Sequence, residues 1–355
     1  MDRIRVNHVF KILIIVTIWY FLYKIESIQD ASIEGNFYTF KIKYDKRYAS
    51  AREEAERKKD FEKNMKLITE HNEKYDRGLA WYRMGINNAT DRSPAELKEN
   101  LGLAQKMSNP LGQTTQMSKD VLTRNSDIFK DLGPVPDEYD WRKHNAVTEM
   151  KSQFNSPYCW IFSAIAAVEG RYSIVNGELL NFSEQQIVDC EISNPFNQSG
   201  FPENVYEHFK NNNIATTENY GPLSQVNKEQ QCKLNNVTSM NINMNGYYRI
   251  ESDEETIKRA VYKLGPLSAS MYVYNPHFKF YKSGVFKEDN CNQPANHAVT
   301  IIGYGTDENG HDYWLIKNSW SKDWGENGYG KIARNNDNHC RIADDCKSPI
   351  MTKMA

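Results

Sequence analysis

Net charge is what this sequence most plainly lacks. It sets 44 Lys and Arg against 46 Asp and Glu over 355 residues, so no uniformly basic balance points to nucleic acid. The apolar run at residues 12–23 is twelve residues long, short of the roughly 20 that span a bilayer. Cys and His at paired metal-ligand spacing are missing, so neither a metal nor another cofactor is expected. What is present excludes disorder: 39% of residues are hydrophobic and 12% aromatic, enough to build a core. The length suits one large domain or two ordinary ones. The near-neutral total also hides a split. Residues 1–134 carry 23 basic and 19 acidic side chains, net +4, and residues 135–355 carry 21 and 27, net −6. A basic front and an acidic back suggest two parts that fit together.

Arg3, Arg5 and Lys11 precede the apolar run and Lys24 ends it. That pattern reads as a signal peptide over residues 1–27, with Ser27 and Ala31-Ser32 as the nearby small-residue cleavage candidates and an uncleaved signal anchor as the rival. Secretory entry gives meaning to four Asn-x-Ser/Thr triplets, at Asn88, Asn181, Asn197 and Asn236, each a weak glycosylation signal. It also implies that most of the six Cys pair. The expected location is the secretory pathway, ending in a lysosome or outside the cell; a membrane is a partner only if the signal stays uncleaved.

Residues 45–79 read as a helix, with Tyr48, Ala55, Phe61, Met65, Ile68 and Tyr75 as a sparse apolar stripe in a charged background. Residues 104–130 have linker composition, and Gly133-Pro134-Val135-Pro136 punctuates the chain before a denser segment. Residues 160–169 are apolar on nearly every side, as a buried helix is, with Pro157 just ahead of its start. Ser183 and Gln186 have capping-box spacing for another helix. From Asn245 the texture changes to short apolar runs, 267–274, 298–304 and 313–317, that read as strands. Helices first and strands later predict an α+β chain of two subdomains with a cleft between them.

Cys159 stands at the mouth of the buried helix, where exposed N–H groups lower a thiol's pKa and favour the thiolate a nucleophile needs. A lone Cys on an apolar helix is more often a packed core residue, and a lone His before a strand is more often structural. Company changes the reading. His297 precedes one strand-like run and Asn318 follows another; a Cys–His pair with an Asn to hold the imidazole tautomer is a known nucleophilic set.

These residues lie in motifs that resemble the papain-type cysteine proteases of the cathepsin L-like branch, over residues 53–348. Gln153 lies six residues before Cys159. His297-Ala298-Val299 with Gly303-Tyr304-Gly305 is similar to the catalytic-His block. Asn318-Ser319-Trp320, followed by Trp324-Gly325-Glu326-Asn327-Gly328-Tyr329, is similar to the Asn block. Ahead of them, Glu53, Arg57, Phe61, Asn64, Ile68 and Asn72 reproduce the ERFNIN helix of cathepsin L-like propeptides. Gly85, Asn87 and Asp91 fit the next motif, with Ala89 where Phe is expected.

The resemblance implies a papain-like fold, a helical left lobe and a β-barrel-like right lobe flanking a cleft, behind a helical propeptide. Residues 28–134 would be that propeptide, folding onto the enzyme and running backwards through the cleft, and residues 135–355 the peptidase. It implies a zymogen of a cysteine endopeptidase in which a Cys159 thiolate and a His297 imidazolium attack peptide bonds of protein and peptide substrates. Gln153 and the Cys159 N–H would hold the oxyanion, Asn318 would orient His297, and Trp320 would shield that contact. Cystatin-like inhibitors are further expected partners. Charge complementarity between propeptide and enzyme would weaken as carboxylates protonate near about pH 4–5.

The chain also departs from the family pattern. Phe154 stands where a Gly usually follows the Gln, Ser156 and Asn197 replace both ends of a usual disulfide, and Pro157 replaces a Gly lining S1. The resemblance leaves two bridges, Cys190–Cys232 and Cys291–Cys340, with Cys346 free or intermolecular. Pro157 and Phe154 keep open a non-catalytic, papain-fold binding protein, and the poor cleavage site keeps open a membrane-anchored interaction protein. Carried over by position, the substrate-binding set is Gly200, Phe201, Pro202, Ser270, Ala295, Ala298, Trp320 and Asp345. Asp345 at the floor of S2 suggests acceptance of Arg as well as bulky apolar P2 side chains. No insertion resembling an occluding loop separates Cys190 from Gly200, which favours an endopeptidase.

Overall fold

A computed structural model describes residues 36–98, 101–103, 128–191, 199–224, 231–273 and 276–354. The expected signal segment, Asn197 and nearly all of the linker at 104–130 lie outside these residues. Two compact units emerge, residues up to 70 with 88–93, and residues 71–87 with 94 onward.

In the first unit, a short helix α1 (Phe37–Lys43) starts at Asn36, whose side chain accepts the Tyr38 N–H. The sequence reading did not anticipate it. Its Phe37 and Phe40 meet Phe61 of the long helix α2 (Ala51–Asp76) at ring separations of 5.4 and 4.8 Å. The two asparagines of the ERFNIN pattern act on backbone rather than on side chains. Asn64 donates to the carbonyls of Thr90 and Arg92, both at 2.9 Å. In the second unit, Asn72 donates to the Met84 carbonyl at 3.0 Å and accepts its N–H at 2.9 Å. An amide both donates and accepts, so it can replace a strand neighbour for a buried backbone, as a carboxylate could not.

The second unit contains strands β1 (Tyr82–Met84), β2 (Tyr139–Asp140), β3 (Met244–Ile250), β4 (Leu267–Met271), β5 (Tyr281–Phe286), β6 (His297–Thr306), β7 (Asp312–Lys317), β8 (Tyr329–Ala333) and β9 (Cys346–Met351). They pair in the order β1-β5-β8-β7-β6-β4-β9-β3, with β2 also on β6. Only β5–β8 among these pairings is parallel. The helices are α3 (Cys159–Asn176), α4 (Glu184–Cys190), α5 (Pro202–Asn211), α6 (Thr217–Tyr220) and α7 (Glu254–Leu264). The mixed α+β, papain-like architecture is therefore as expected, with one exception in order: α7 falls inside the strand-rich half. Its Asp253 cap and its buried Ile257, Ala260, Val261 and Leu264 at helical spacing specify it.

α3 is buried on most sides and ends at Gly177 in the left-handed region, φ 83°, which Gly adopts without steric penalty. It is fastened to β6 by a Ser163 hydroxyl donating to the Val299 carbonyl (2.6 Å) and a Thr300 hydroxyl donating to the Ser163 carbonyl (3.2 Å). The start of α3 and the start of β6 are thereby held at fixed positions. Cys159 is the first residue of one and His297 the first of the other. Both expected disulfides are present, Cys190–Cys232 and Cys291–Cys340. Cys346 is unpaired and fully buried in β9, which removes the intermolecular option for the folded chain.

Candidate active site

His297 gives Nε2 to Asn318 Oδ1 at 2.9 Å, and among the described residues its Nδ1 has no hydrogen-bond partner. The Asn contact fixes the tautomer that leaves the lone pair on Nδ1, the form a general base needs. Trp320 covers the pair, its ring 4.7 Å from the imidazole and tilted by 35°. Gln153 is tied to the same loop: its N–H reaches the Ser319 carbonyl at 2.8 Å, and its Oε1 accepts the Ser319 hydroxyl at 2.5 Å. One amide proton goes to the Ser156 carbonyl at 2.7 Å. The Cys159 N–H lies in the first turn of α3, where backbone donors have no intrahelical acceptor. Cys159 heads α3 and His297 heads β6, while Gln153, in the loop before α3, is tied to the loop after β7 that carries Asn318.

A segment of the chain itself lies across this framework. Gly200 N–H donates to the Gly102 carbonyl at 3.0 Å, Leu103 N–H to the Asn296 carbonyl at 3.4 Å, and Leu103 pairs with Gly200 in parallel sense. A Cβ on Gly102 would fall 1.7 Å from the Pro157 carbonyl oxygen, so only glycine passes at this depth. The sequence reading, which opened the linker at residue 104, missed these two residues; the only local sign was a Gly between Leu101 and Leu103.

This covering inverts the expected electrostatics. Burial pushes the Cys159 thiol up to about 11, against the backbone N–H groups of Ala298, Gly102, Trp160 and Cys159 that pull it down. Burial likewise drives the His297 imidazole down to about 3, opposed by the Asn318 contact and assisted by the Lys279 charge. The expected lowering of the thiol pKa at the helix N-terminus is therefore overturned in this state. N–H groups favour the thiolate, but removal of water disfavours any charge more strongly. In the covered state, Cys159 is a neutral thiol and His297 a neutral imidazole. Lys279, whose Nζ lies 3.7 Å from the centre of the Trp320 ring, was also missed, being hidden between two phenylalanines of an aromatic run.

The departures from the family pattern take definite forms. Phe154 adopts φ 52°, a left-handed backbone where glycine is the unstrained residue. Pro157 needs no positive φ, so the turn into Cys159 tolerates it. Among the S2 candidates, Ser270 faces Ala298 across β4–β6, and its hydroxyl donates to Asp345 Oδ2 at 3.2 Å. Phe201, Ala295 and Ala298 join the apolar cluster that includes Leu103, and Pro202 opens α5. Asp345 is not an open acid: Lys347, almost fully buried, donates to Oδ2 at 2.7 Å and also approaches Glu203 at 3.1 Å. Of the sequons, Asn88, Asn181 and Asn236 are exposed.

A thiol and an imidazole held by an Asn, roofed by a Trp and covered by a stretch of the same chain define a cysteine peptidase in latent form. The comparisons agree. Residues 135–350 match the family model described as papain family cysteine protease, and residues 37–97 match that of the cathepsin propeptide inhibitor domain (I29). Cathepsin L of Sarcophaga peregrina is 35% identical over 324 residues, 90% of this chain and 93% of that protein. A cathepsin L-like proteinase of Fasciola hepatica is 35% identical, with 89% and 93% covered. The solved structure of digestive procathepsin L2 from Tenebrio molitor larval midgut superimposes with a TM-score of 0.77 at 32% identity, covering 89% of this chain and 98% of that one. The chain belongs to the papain family: it is a cathepsin L-like cysteine protease with its own inhibitory propeptide, and protein substrates are its class. Neither the family models nor these relatives support the non-catalytic alternative. Among the described residues no helix is long and apolar enough to cross a membrane.

Proposed function

We propose that Cys159 is the nucleophile, His297 its proton acceptor and donor, Asn318 the residue that orients His297, and Gln153 with the Cys159 N–H the oxyanion hole. The observation that carries this reading is the His297–Asn318 contact of 2.9 Å under Trp320. With the covering segment gone, water re-enters, the thiol proton passes to Nδ1, and the thiolate–imidazolium pair forms. The sulfur attacks the substrate carbonyl, and the oxyanion that forms is held by the Cys159 N–H and the side-chain amide of Gln153. His297 then protonates the leaving amine, and water activated by His297 hydrolyses the thioester.

On this reading residues 1–27 are a signal, 28–134 the propeptide and 135–355 the peptidase, released near Val135 within the secretory pathway to a lysosome or the cell exterior. Glycans on the exposed Asn88, Asn181 and Asn236 and inhibition by cystatin-like proteins fit that setting. At P2, Leu103 in the apolar cluster supports a bulky apolar preference. Arg is a secondary P2 residue because Lys347 already shares the Asp345 charge. The test uses processed enzyme on Phe-Arg and Arg-Arg reporter peptides. Cys159→Ala abolishes both activities. Asp345→Ala lowers Arg-Arg cleavage several-fold and leaves Phe-Arg within about twofold, the asymmetry expected of a charge that Lys347 only partly neutralises. Equal rates on both peptides after Asp345→Ala contradict the S2 assignment, and residual turnover in Cys159→Ala contradicts the nucleophile.

A further inference from the structure

Far from Cys159 in sequence role, four polar side chains converge at a place the mechanism does not use. His71, His277 and Glu288 each bring one ligand-type atom to within 4.8 Å of the other two. Tyr82 joins them: its hydroxyl lies 3.1 Å from His277 Nδ1 and donates to Glu288 Oε1. Nδ1 of His277 is itself 2.8 Å from that carboxylate oxygen. All four belong to the larger compact unit, yet His71 and Tyr82 fall in the stretch matched as propeptide and His277 and Glu288 in the stretch matched as peptidase.

We infer that His71, His277 and Glu288, with the Tyr82 hydroxyl beside them, form a binding site for a zinc-type divalent cation that clasps the propeptide to the enzyme. Two imidazoles and one carboxylate are a borderline donor set that suits zinc and discriminates against magnesium and calcium, which take oxygen ligands. The outer contacts are those of ligating histidines. His71 Nε2 lies 2.9 Å from the Tyr82 carbonyl; donating there leaves the lone pair on Nδ1 and fixes the ring, the usual outer-shell device of metal-bound imidazole. Its ring packs on Tyr82 at 4.2 Å, tilted by 41°, and meets His277 edge-on at 5.8 Å, so the imidazoles are already oriented by packing. Sequence spacing could not reveal this set, since its members are 206 and 11 residues apart and only the pairing of β1 with β5 brings them together.

The inference rests on the zymogen reading, and its test is independent of catalysis. Full-length Cys159→Ala chain, which cannot process itself and lacks the reactive thiol as a competing ligand, is stripped with EDTA, dialysed and titrated calorimetrically with zinc chloride. One zinc per chain with a dissociation constant in the micromolar range is expected, with cobalt giving the visible bands of a tetrahedral site. Glu288→Gln and His277→Ala, each verified as folded by circular dichroism, weaken zinc binding at least ~10-fold. The Cys159→Ala chain cut by an added protease and freed of its propeptide loses at least as much, because two of the four residues leave with the propeptide. Saturation raises the thermal midpoint of the uncut chain by several degrees. Absence of saturable binding at millimolar zinc overturns the inference. Binding that both variants and removal of the propeptide leave unchanged overturns it equally, since the ion is then held elsewhere.

Discussion

At the scale of single residues, the unusual positions are the ones closest to the chemistry. Phe154 holds φ 52° beside Gln153, and a left-handed backbone costs a non-glycine residue roughly 1–2 kcal/mol. Phe154→Gly is therefore expected to stabilise the chain by about 1 kcal/mol, after the added freedom of the unfolded glycine is subtracted, read as a rise in the denaturation midpoint without loss of peptidase activity. Cys159, His297, Asn318 and Gln153 could be singled out in the sequence because the chemistry proposed for them demands fixed residue types in motifs of fixed spacing. Asp345 could be picked out as a position but not as a shared charge, since the Lys347 Nζ that lies 2.7 Å from it belongs to no motif. The sense of the Cys159 pKa was misread for a similar reason: a helix N-terminus is visible in a sequence, whereas the chain segment that dries it is not.

At the scale of elements, α3 and β6 are the frame and residues 101–103 the closure. The Ser163–Val299 and Thr300–Ser163 hydrogen bonds lock the frame, and the closure depends on the absence of one side chain. Gly102→Ala must displace the Pro157 carbonyl or withdraw from it. The expected outcome is a leaky zymogen, with measurable hydrolysis by unprocessed chain and faster self-processing at neutral pH. Tight latency in this variant would contradict the role given to Gly102. α2 and α3 were both visible in the sequence, one as a charged helix with an apolar stripe, the other as a fully apolar one. α1 and α7 were not, because α1 has only seven residues and α7 lies among strands, where texture averages hide a short amphipathic turn pattern.

At the scale of the whole molecule, latency is an electrostatic state as much as a steric one. His297 at about 3 and His339 at about 4 are both held neutral by burial, below the ordinary value near 6.5. A depressed folded-state pKa means that the unfolded or opened chain binds more protons, so stability present above about pH 6.5 is lost as pH falls toward those values. Between pH 7 and 5 each histidine removes on the order of 2 kcal/mol. The denaturant midpoint of Cys159→Ala chain is expected to fall over that interval, and a midpoint independent of pH would contradict this origin of acid sensitivity. The central claim is that one buried thiol is inert while covered and becomes the nucleophile once uncovered. Its most direct measurement is labelling by a thiol-directed epoxide at pH 6, followed by mass spectrometry, before and after removal of the propeptide. The expected result is no modification of Cys159 in the intact chain and one label per chain on Cys159 after removal. Failure of Cys159 to label after removal, or equal labelling of the intact chain, would contradict it.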